Sequence, residues 1–362
     1  MGRSGPTGHP PTGATGGAGK PAPLVSVVIP NLNGRAILGE CLTCLRAQTY
    51  PNFEVIVVDN GSSDGSVEWV RERFPEVRVI ALPANQGFAG GCNVGIRAAR
   101  GTLIATLNND ARAEPTWLAE MVRVIEQPGV GMVASKMLRA SNPALIDSAG
   151  ICVDRLGIAW DRCAGHPADE ADVEVDVFGP CGGAALYRRA LFEDVGLFDE
   201  DFFCYLEDVD LAWRALAAGW RCRYAPRARV YHDHSATAVE NSPFKRYHLG
   251  RNKIWMIAKN YPSPAVWWLL PAIAVYDLAG ALTIAAAELA RGASLSSALA
   301  GFRGRLDGLR GLPRAVRKRR AFQAARHLPS AGAFRYLEGP AWPWRVARRF
   351  SLPGNRSGGT GS

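Results

Sequence analysis

Two carboxylate clusters sit at the edges of apolar runs in this chain, and each suits a different task. In CYLEDVDLAWR, Cys204 to Arg214, the acids Glu207, Asp208 and Asp210 follow Phe202, Phe203, Cys204, Tyr205 and Leu206. Apolar surroundings raise a carboxylate's pKa and improve it as a base toward a hydroxyl. Acids also favour a helix start through its dipole, which accounts for one or two of the three. Upstream, LNNDA (Leu107 to Ala111) ends an apolar run on Asn108, Asn109 and Asp110. One or two carboxylates hold Mg²⁺ or Mn²⁺ well enough when phosphate oxygens and water fill the remaining positions. Asn and Asp also make turns at strand ends, so Asp110 alone supports either reading. Taken together, the clusters suit moving a group from a diphosphate to an alcohol.

Three further features bear on that chemistry. Asp59 ends the apolar run EVIVVD and is followed by Asn60, Gly61 and Ser62. A carboxylate there could accept hydrogen bonds from a base or ribose, or simply close a turn. NQGFAGGCNVG, which holds Asn85, Gly90 and Asn93, is a glycine-rich entry to a helix. Such an entry lets backbone N–H groups approach an anion, or lets a helix pack tightly on a strand. Its spacing is not G-x-G-x-x-G, which argues against a nicotinamide or flavin site. His232 and His234 follow a short strand, where an imidazole is more often structural but could complete an Asp-based metal site.

These residues need a frame, and the apolar periodicity supplies one. VSVVIP (Val25 to Pro30), EVIVVD (Glu54 to Asp59), VRVIAL (Val77 to Leu82) and TLIATL (Thr102 to Leu107) read as buried strands. Amphipathic helices alternate with them: one carries Leu38, Cys41, Leu42 and Leu45, a second runs from about Val67 to Phe74, and a third reaches about Arg100. The alternation predicts an α/β fold with a mainly parallel sheet covered on both faces, in which ligands bind beyond the carboxyl ends of the strands. From Val130 to Arg189 the pattern is less regular. It includes the acidic DEADVEVD and the short β-like GGAALYR with Gly182 and Gly183, and is expected to meet the acceptor. RVYHDHS (Arg229 to Ser235) closes the globular part.

Composition sets the surroundings. A chain of 362 residues, 48% hydrophobic and 21% charged, can bury one large core plus appendages. Residues 291–362 hold 15 Lys/Arg against 2 Asp/Glu, while residues 1–290 hold 27 against 31. A mildly acidic body with a basic tail points to an anionic partner for the tail. The tail lacks zinc spacing or an RNA-binding signature and follows an apolar run, so the expected partner is anionic lipid and not nucleic acid. Ala265 to Ala287 is apolar except for Asp277, long enough to span a bilayer. Pro271 and Asp277 leave a tilted or interfacial arrangement as the rival, with Trp267, Trp268 and the Arg-rich Phe302 to Arg320 as anchors. Cys41 and Cys44 form a C-x-x-C with no second pair and are read as packing. The expected organisation is a disordered leader 1–23, a catalytic domain 24–260, an apolar segment 261–290, a basic helical tail 291–350 and a disordered end 351–362.

In order and spacing, VSVVIPNLNG, VIVVDNGSSDGS, NQGFAGGCNVG, LNNDA, GGAALYRR and FFCYLEDVDLAWR resemble the family 2 glycosyltransferases of the GT-A fold, over roughly Val25 to His234. HLGRNKIWMIAKNYP and RGRLDGLRGLPRAVRKRR resemble its rhamnosyltransferase-like, membrane-associated branch. The resemblance implies a Rossmann-like GT-A domain with C-terminal membrane-associated helices at the cytoplasmic membrane face. Pro30, Asn31, Asn33, Asp59, Asn60, Asn85, Gly90, Asn93, Asn109 and Asp110 would then bind the nucleotide-diphosphate sugar. Asp110 and His232 would hold Mg²⁺ or Mn²⁺, and Arg251 would steady the departing diphosphate. Asp208 would be the base, with Glu207, Asp210, Gly182 and Gly183 on the acceptor side. The implied donor is deoxythymidine-diphosphate rhamnose or a uridine-diphosphate sugar, and the acceptor a lipid-linked saccharide in envelope polysaccharide synthesis. The family's D-x-D place reads Asn108-Asn109-Asp110, which leaves one carboxylate and weakens the expected metal dependence. Q-x-x-R-W of processive synthases is absent after Asp210, so one sugar per encounter is expected. Two alternatives stand beside it: a sugar-phosphate nucleotidyltransferase, disfavoured because NLNGRA is poor in basic residues, and a non-catalytic nucleotide-sugar-binding module at the membrane.

Overall fold

The computed structural model describes residues 21–233, 242–261, 263–290, 295–324 and 331–339; the leader through residue 20, His234 and the chain beyond 339 lie outside these residues. The first half alternates as its apolar runs predict: β1 (Val25–Asn31), α1 (Arg35–Arg46), β2 (Phe53–Asp59), α2 (Ser66–Arg73), β3 (Arg78–Ala81), α3 (Gly87–Ala98) and β4 (Leu103–Leu107). β3, β2, β1 and β4 lie side by side and parallel. In β1, Val25, Val27 and Ile29 face one core, shared with α1, while Val28 faces the other, shared with α3. Alternate residues of a strand point to opposite faces, so a strand covered on both sides must be apolar throughout.

Beyond β4 the sheet becomes mixed. The chain adds β5 (Ala111–Ala113), α4 (Trp117–Ile125), β6 (Val130–Arg139), β7 (Asn142–Ser148), β8 (Ile151–Val153), β9 (Ala159–Asp161), β10 (Asp176–Val177), β11 (Ala184–Arg188), α5 (Arg189–Val195), α6 (Glu207–Ala217) and β12 (Arg221–His232). The sheet order is β3-β2-β1-β4-β11-β6-β12-β10, with β5 on β12 and β7 on β6. β11 is antiparallel to both β4 and β6. The expected parallel arrangement therefore holds for residues 25–107 and gives way after them. Parallel neighbours need crossover helices, and between β6 and β11 there is only a single 3-10 turn at Ala168–Ala171. β12 also begins well before RVYHDHS, and a register break between Ala225 and Arg229 separates its two halves.

The C-terminal part is helical: α7 (Pro243–Asn260), α8 (Ser263–Ala290), α9 (Ser296–Arg310), α10 (Leu312–Ala324) and α11 (Ala331–Phe334). α9 lies on α7 almost backbone to backbone, because Gly301, Gly304 and Gly308 form its buried face. A Cβ at Gly304 would stand 2.1 Å from the Tyr247 carbonyl oxygen. α8 contains Pro271, and Asp277 pairs with Lys253 of α7 at 2.7 Å. Among the described residues no helix is long and apolar enough to cross a membrane.

Candidate active site

The carboxyl ends of β1, β2 and β4 meet at one edge, and the polar residues that end these strands bond to one another there. Asn31 Nδ2 donates to Asp59 Oδ1 at 3.0 Å, and Asn31 Oδ1 accepts from Asn109 Nδ2 at 2.9 Å. Asp59 Oδ2 accepts from the Ser62 N–H at 2.9 Å. The Asn33 N–H donates to Ser62 Oγ at 2.8 Å, and Asn33 Oδ1 takes the Ser63 N–H at 2.9 Å. Asn60 Nδ2 donates to the Gly87 carbonyl at 3.1 Å, and Asn85 Oδ1 accepts from the Gly87 N–H at 2.8 Å. These bonds tie the turn after β2 to the glycine-rich entry of α3. Pro30 lies within β1 and Gly90 in the first turns of α3, where a Cβ would meet Gln86 at 2.6 Å.

Asp110 and His232 are brought together by the pairing of β5 with β12, which sets His232 opposite Ala111. The Asp233 N–H donates to the Asp110 carbonyl at 3.2 Å. Asp110 Oδ1 is buried, accepts no well-formed hydrogen bond, and faces His232 Nε2 at 3.3 Å. His232 Nδ1 lies 2.8 Å from Asp147 Oδ2, and Nε2 lies 3.2 Å from Asn108 Nδ2. In the neutral ring, Nδ1–H donates to Asp147 and Nε2 turns its lone pair toward Asp110 and Asn108; in the protonated ring, Nε2–H faces Asp110 instead. Burial alone would lower the His232 pKa, but Asp110 and Asp147 overcome it and push the imidazole up to about 10. A proton on Nε2 thus does what a cation between these residues would do.

Whether Asp110 and His232 fit a divalent metal rests on their donors. A buried carboxylate oxygen without a hydrogen bond and an imidazole nitrogen oriented by a second carboxylate are of the right type. Among the described residues no group of three or more His, Cys, Asp or Glu side chains is arranged to hold a metal, so most positions would fall to diphosphate and water.

The second carboxylate cluster splits into three roles. Asp208, partly exposed at the start of α6, accepts from the Gly182 N–H at 3.0 Å and the Val209 N–H at 2.8 Å. Burial pushes its carboxyl up against those donors. Glu207 is buried with Oε2 unbonded, and burial followed by the charge of Asp208 drives its carboxyl well up. Asp210 is fully buried between Arg214 Nε at 2.9 Å, Lys259 Nζ at 2.8 Å and Asn260 Nδ2 at 2.8 Å. Burial opposes its ionisation, but Lys259 and Arg214 hold it below the usual carboxylate range.

Gly182 and Gly183 join the two halves of the site. The Gly182 carbonyl accepts from Thr106 Oγ1 at 2.7 Å, and the Asn108 N–H donates to the Gly183 carbonyl at 2.8 Å. A Cβ at Gly183 would lie 2.9 Å from Asn108 Nδ2. A continuous path of contacts thus runs from Asp208 through Gly182, Gly183 and Asn108 to His232 and Asp110.

Besides Asp210, expected on the acceptor side but buried among Arg214, Lys259 and Asn260, two expected residues face elsewhere. Asn93 bonds the Phe198 backbone on both sides, at 2.9 and 3.1 Å, and Glu200 Oε1 at 2.9 Å. Arg251 donates to the Asp201 and Phe202 carbonyls at 3.1 and 2.8 Å and stacks over Trp255. A cavity of ≈ 420 Å³ beside Asn93 opens between Asp199 and α10, lined by charged side chains that pair with one another, and not by the residues of the strand ends. Asp147 and Asn108 are the functional candidates the residue reading did not assign. No local signal marks Asp147, because its place beside His232 depends on β7, β6 and β12 pairing.

Comparison with known proteins bears on the family and the fold. The profile described as "Glycosyl transferase family 2" matches residues 26–196, and that of "Glycosyl transferase family group 2" matches 171–299. The O-antigen biosynthesis protein RfbC of Myxococcus xanthus is 31% identical over 59% of this chain and 18% of its own length. An N-acetylglucosaminyl-diphospho-decaprenol L-rhamnosyltransferase of Mycobacterium tuberculosis is 29% identical over 64% of this chain and 81% of its own length. The chain spans only 27% and 18% of the first two relatives it matches. In fold, the mannosyltransferase PcManGT of Pyrobaculum calidifontis, solved with GDP-Man and Mn²⁺, superposes with a TM-score of 0.50 at 22% identity, over 84% of this chain and 86% of its own. The sheet is that of the GT-A fold. Two profiles that together run from β1 into α9, on a GT-A sheet, place the chain in glycosyl transferase family 2.

Proposed function

We propose that the protein transfers one sugar from a nucleotide-diphosphate sugar to a hydroxyl of a lipid-linked saccharide, inverting the anomeric centre. The observation that carries this reading is the placement of Asp208, a base with a raised pKa, across Gly182 and Gly183 from the Asp110–His232 pair. Asn31, Asp59 and Asn109 form a bonded patch that would accept the nucleoside, and the α3 entry would lie along its diphosphate. Asp208 takes the proton of the acceptor hydroxyl as that oxygen attacks the anomeric carbon. The bond from the anomeric carbon to the diphosphate oxygen breaks, and the nucleoside diphosphate leaves with the electron pair. A divalent cation held by Asp110 and His232 would supply charge neutralisation for that diphosphate.

Deoxythymidine-diphosphate rhamnose is the favoured donor and a lipid diphosphate saccharide the favoured acceptor; the name of the mycobacterial relative supports the rhamnose and the lipid diphosphate, not the nucleotide. The proposed location is the cytoplasmic membrane face. Calorimetric titration with deoxythymidine, uridine and guanosine diphosphates, with and without Mn²⁺, tests the donor site. One nucleotide should bind more tightly with Mn²⁺; binding of none of the three sinks the reading. Asp208→Asn should lower transfer by roughly 10²–10⁴-fold while nucleotide affinity stays near wild type.

A further inference from the structure

The motif HLGRN in α7 has no part in the chemistry above, yet two of its side chains converge on the loop that leads to Asp208. Asn252 is fully buried. Its Nδ2 lies 3.0 Å from the Phe202 carbonyl, 2.8 Å from that of Cys204 and 2.8 Å from that of Tyr205. Its Oδ1 accepts from Arg251 Nε at 2.9 Å. Arg251 Nη2 in turn reaches the Asp201 and Phe202 carbonyls. Four carbonyls of one short loop therefore point at two adjacent side chains. An amide carries two N–H bonds, so three carbonyls must share them; if Asn252 were lost, the Phe202 carbonyl would keep Arg251, and those of Cys204 and Tyr205 would lose the side-chain donor they have here.

The same loop is unfavourable on its own. Phe203, Tyr205 and Leu206 have φ of 65°, 66° and 67°, the left-handed region that side chains with a Cβ rarely adopt. Such backbone persists only where its surroundings over-determine it. Leu206 is the residue that caps α6, one residue before Glu207 and two before Asp208. The Phe203 carbonyl accepts the Ala89 N–H at 3.1 Å, and a Cβ at Gly87 would stand 2.3 Å from that carbonyl oxygen. The loop thus touches the glycine-rich entry of α3 at one point and carries the base at its end.

We propose that Asn252 and Arg251 are positioning residues, which hold loop 202–206 in its left-handed course and so set Asp208 against Gly182 at the transfer site. The proposal rests on the reading of Asp208 as the base. It deepens that reading, because the loop then couples the donor-side helix entry to the base. Arg251 accordingly acts on the acceptor side of the reaction through backbone, and not by contact with the departing diphosphate.

The test uses the full chain and the variants Asn252→Ala and Arg251→Lys, with Asp208→Asn beside them. Arg251→Lys keeps the charge at a partly exposed position but loses the two-pronged reach, so it reports even if Asn252→Ala fails to fold. Hydrogen exchange should quicken at residues 202–209 in both variants while β1 to β4 stay protected. The Kd for the nucleoside diphosphate chosen by calorimetry should stay within about twofold, and nucleoside diphosphate release from deoxythymidine-diphosphate rhamnose, UDP-GlcNAc and GDP-mannose, with water as acceptor, should fall roughly 10²-fold, as expected of a reacting group misplaced by about an ångström. Unchanged exchange at 202–209 in both variants overturns the proposal. So does loss of nucleotide binding together with protection across the sheet, which marks a general structural role. If Asp208→Asn alone leaves release intact, the base reading fails, while the exchange result still judges the clamp.

Discussion

Glu207, Asp208 and Asp210 share one turn of helix and differ in what surrounds them, which sets what each can do. Asp210 is ionised against Lys259, Arg214 and Asn260, so it anchors α6 to α7 and is fully buried. Glu207 is driven toward its neutral form by burial and by the Asp208 charge. Replacing it with Gln mimics that neutral form, so Glu207→Gln should keep transfer within about threefold in steady-state assays, against the roughly 10²–10⁴-fold loss expected of a missing base. Asp208 acts as a base only when ionised, and burial raises its pKa above the ordinary 3.8. Transfer should therefore decline as pH falls through that raised value, and the acid limb of the rate profile should stand above the range of a free carboxylate. The linked effect on stability has the opposite sign. The folded state holds this proton more tightly than the unfolded chain, so the Asp208 contribution to stability is lost as pH rises from 3.8 through the folded value. A pH–rate profile with its acid limb near 3.8 would remove Asp208 from the role.

At the level of elements, the close contacts of α9 with α7 are the most exposed to change. A methyl at Gly304 would enter the Tyr247 carbonyl, and backbone cannot give way there as a side chain can. Gly304→Ala should cost about 1–3 kcal/mol and lower the melting temperature, a loss that calorimetry would show. Because α7 carries Arg251 and Asn252, the same change should also loosen loop 202–206. β1, β2 and β4 were legible in the sequence because strands buried on both faces must be apolar throughout, and each ended on the polar residue that the structure places at the site. The second half was not, since β11 enters antiparallel with no periodic helix to announce it. Asp147 could not be read because only the pairing of three strands brings it to His232. In FRGRLDGLRG the Leu and Arg spacing drew attention to a surface helix, while Gly301, Gly304 and Gly308, spaced along one helical face, carried the packing information. Asp277 likewise looked like an interruption of an apolar segment, and it is the residue that ties α8 to Lys253 of the body.

The whole molecule presents two contrasting surfaces. Its body is mildly acidic, with the site at the strand ends, while α8 and α9 leave a series of large apolar side chains uncovered. Trp268 is 86% exposed, and Val275, Leu278, Leu282, Leu299, Phe302 and Leu309 are also open to solvent. Arg303 and Arg310 sit among them on α9, and α10 adds Arg317 and Arg320. Apolar area rimmed by cations, on helices fixed to the body through Asp277 and the α9 glycines, suits the surface of an anionic bilayer. On the proposed function, docking there would bring a lipid-borne acceptor to the site. Each Leu or Phe moved out of water adds about 1.5–3 kcal/mol when fully buried, and each cation near an anionic surface about 1 kcal/mol. The two contributions can be separated by sedimentation with vesicles. Vesicles rich in phosphatidylglycerol should carry down the full chain at low salt, and raising the salt should release part of it by screening the arginines. Phe302→Glu with Leu309→Glu should remove the salt-resistant part while leaving the melting temperature and nucleotide binding unchanged, because both side chains are more than half exposed and the buried residues of α9 are its glycines. Equal sedimentation of this variant and the wild type at high salt would show that the exposed face of α9 is not what meets the lipid.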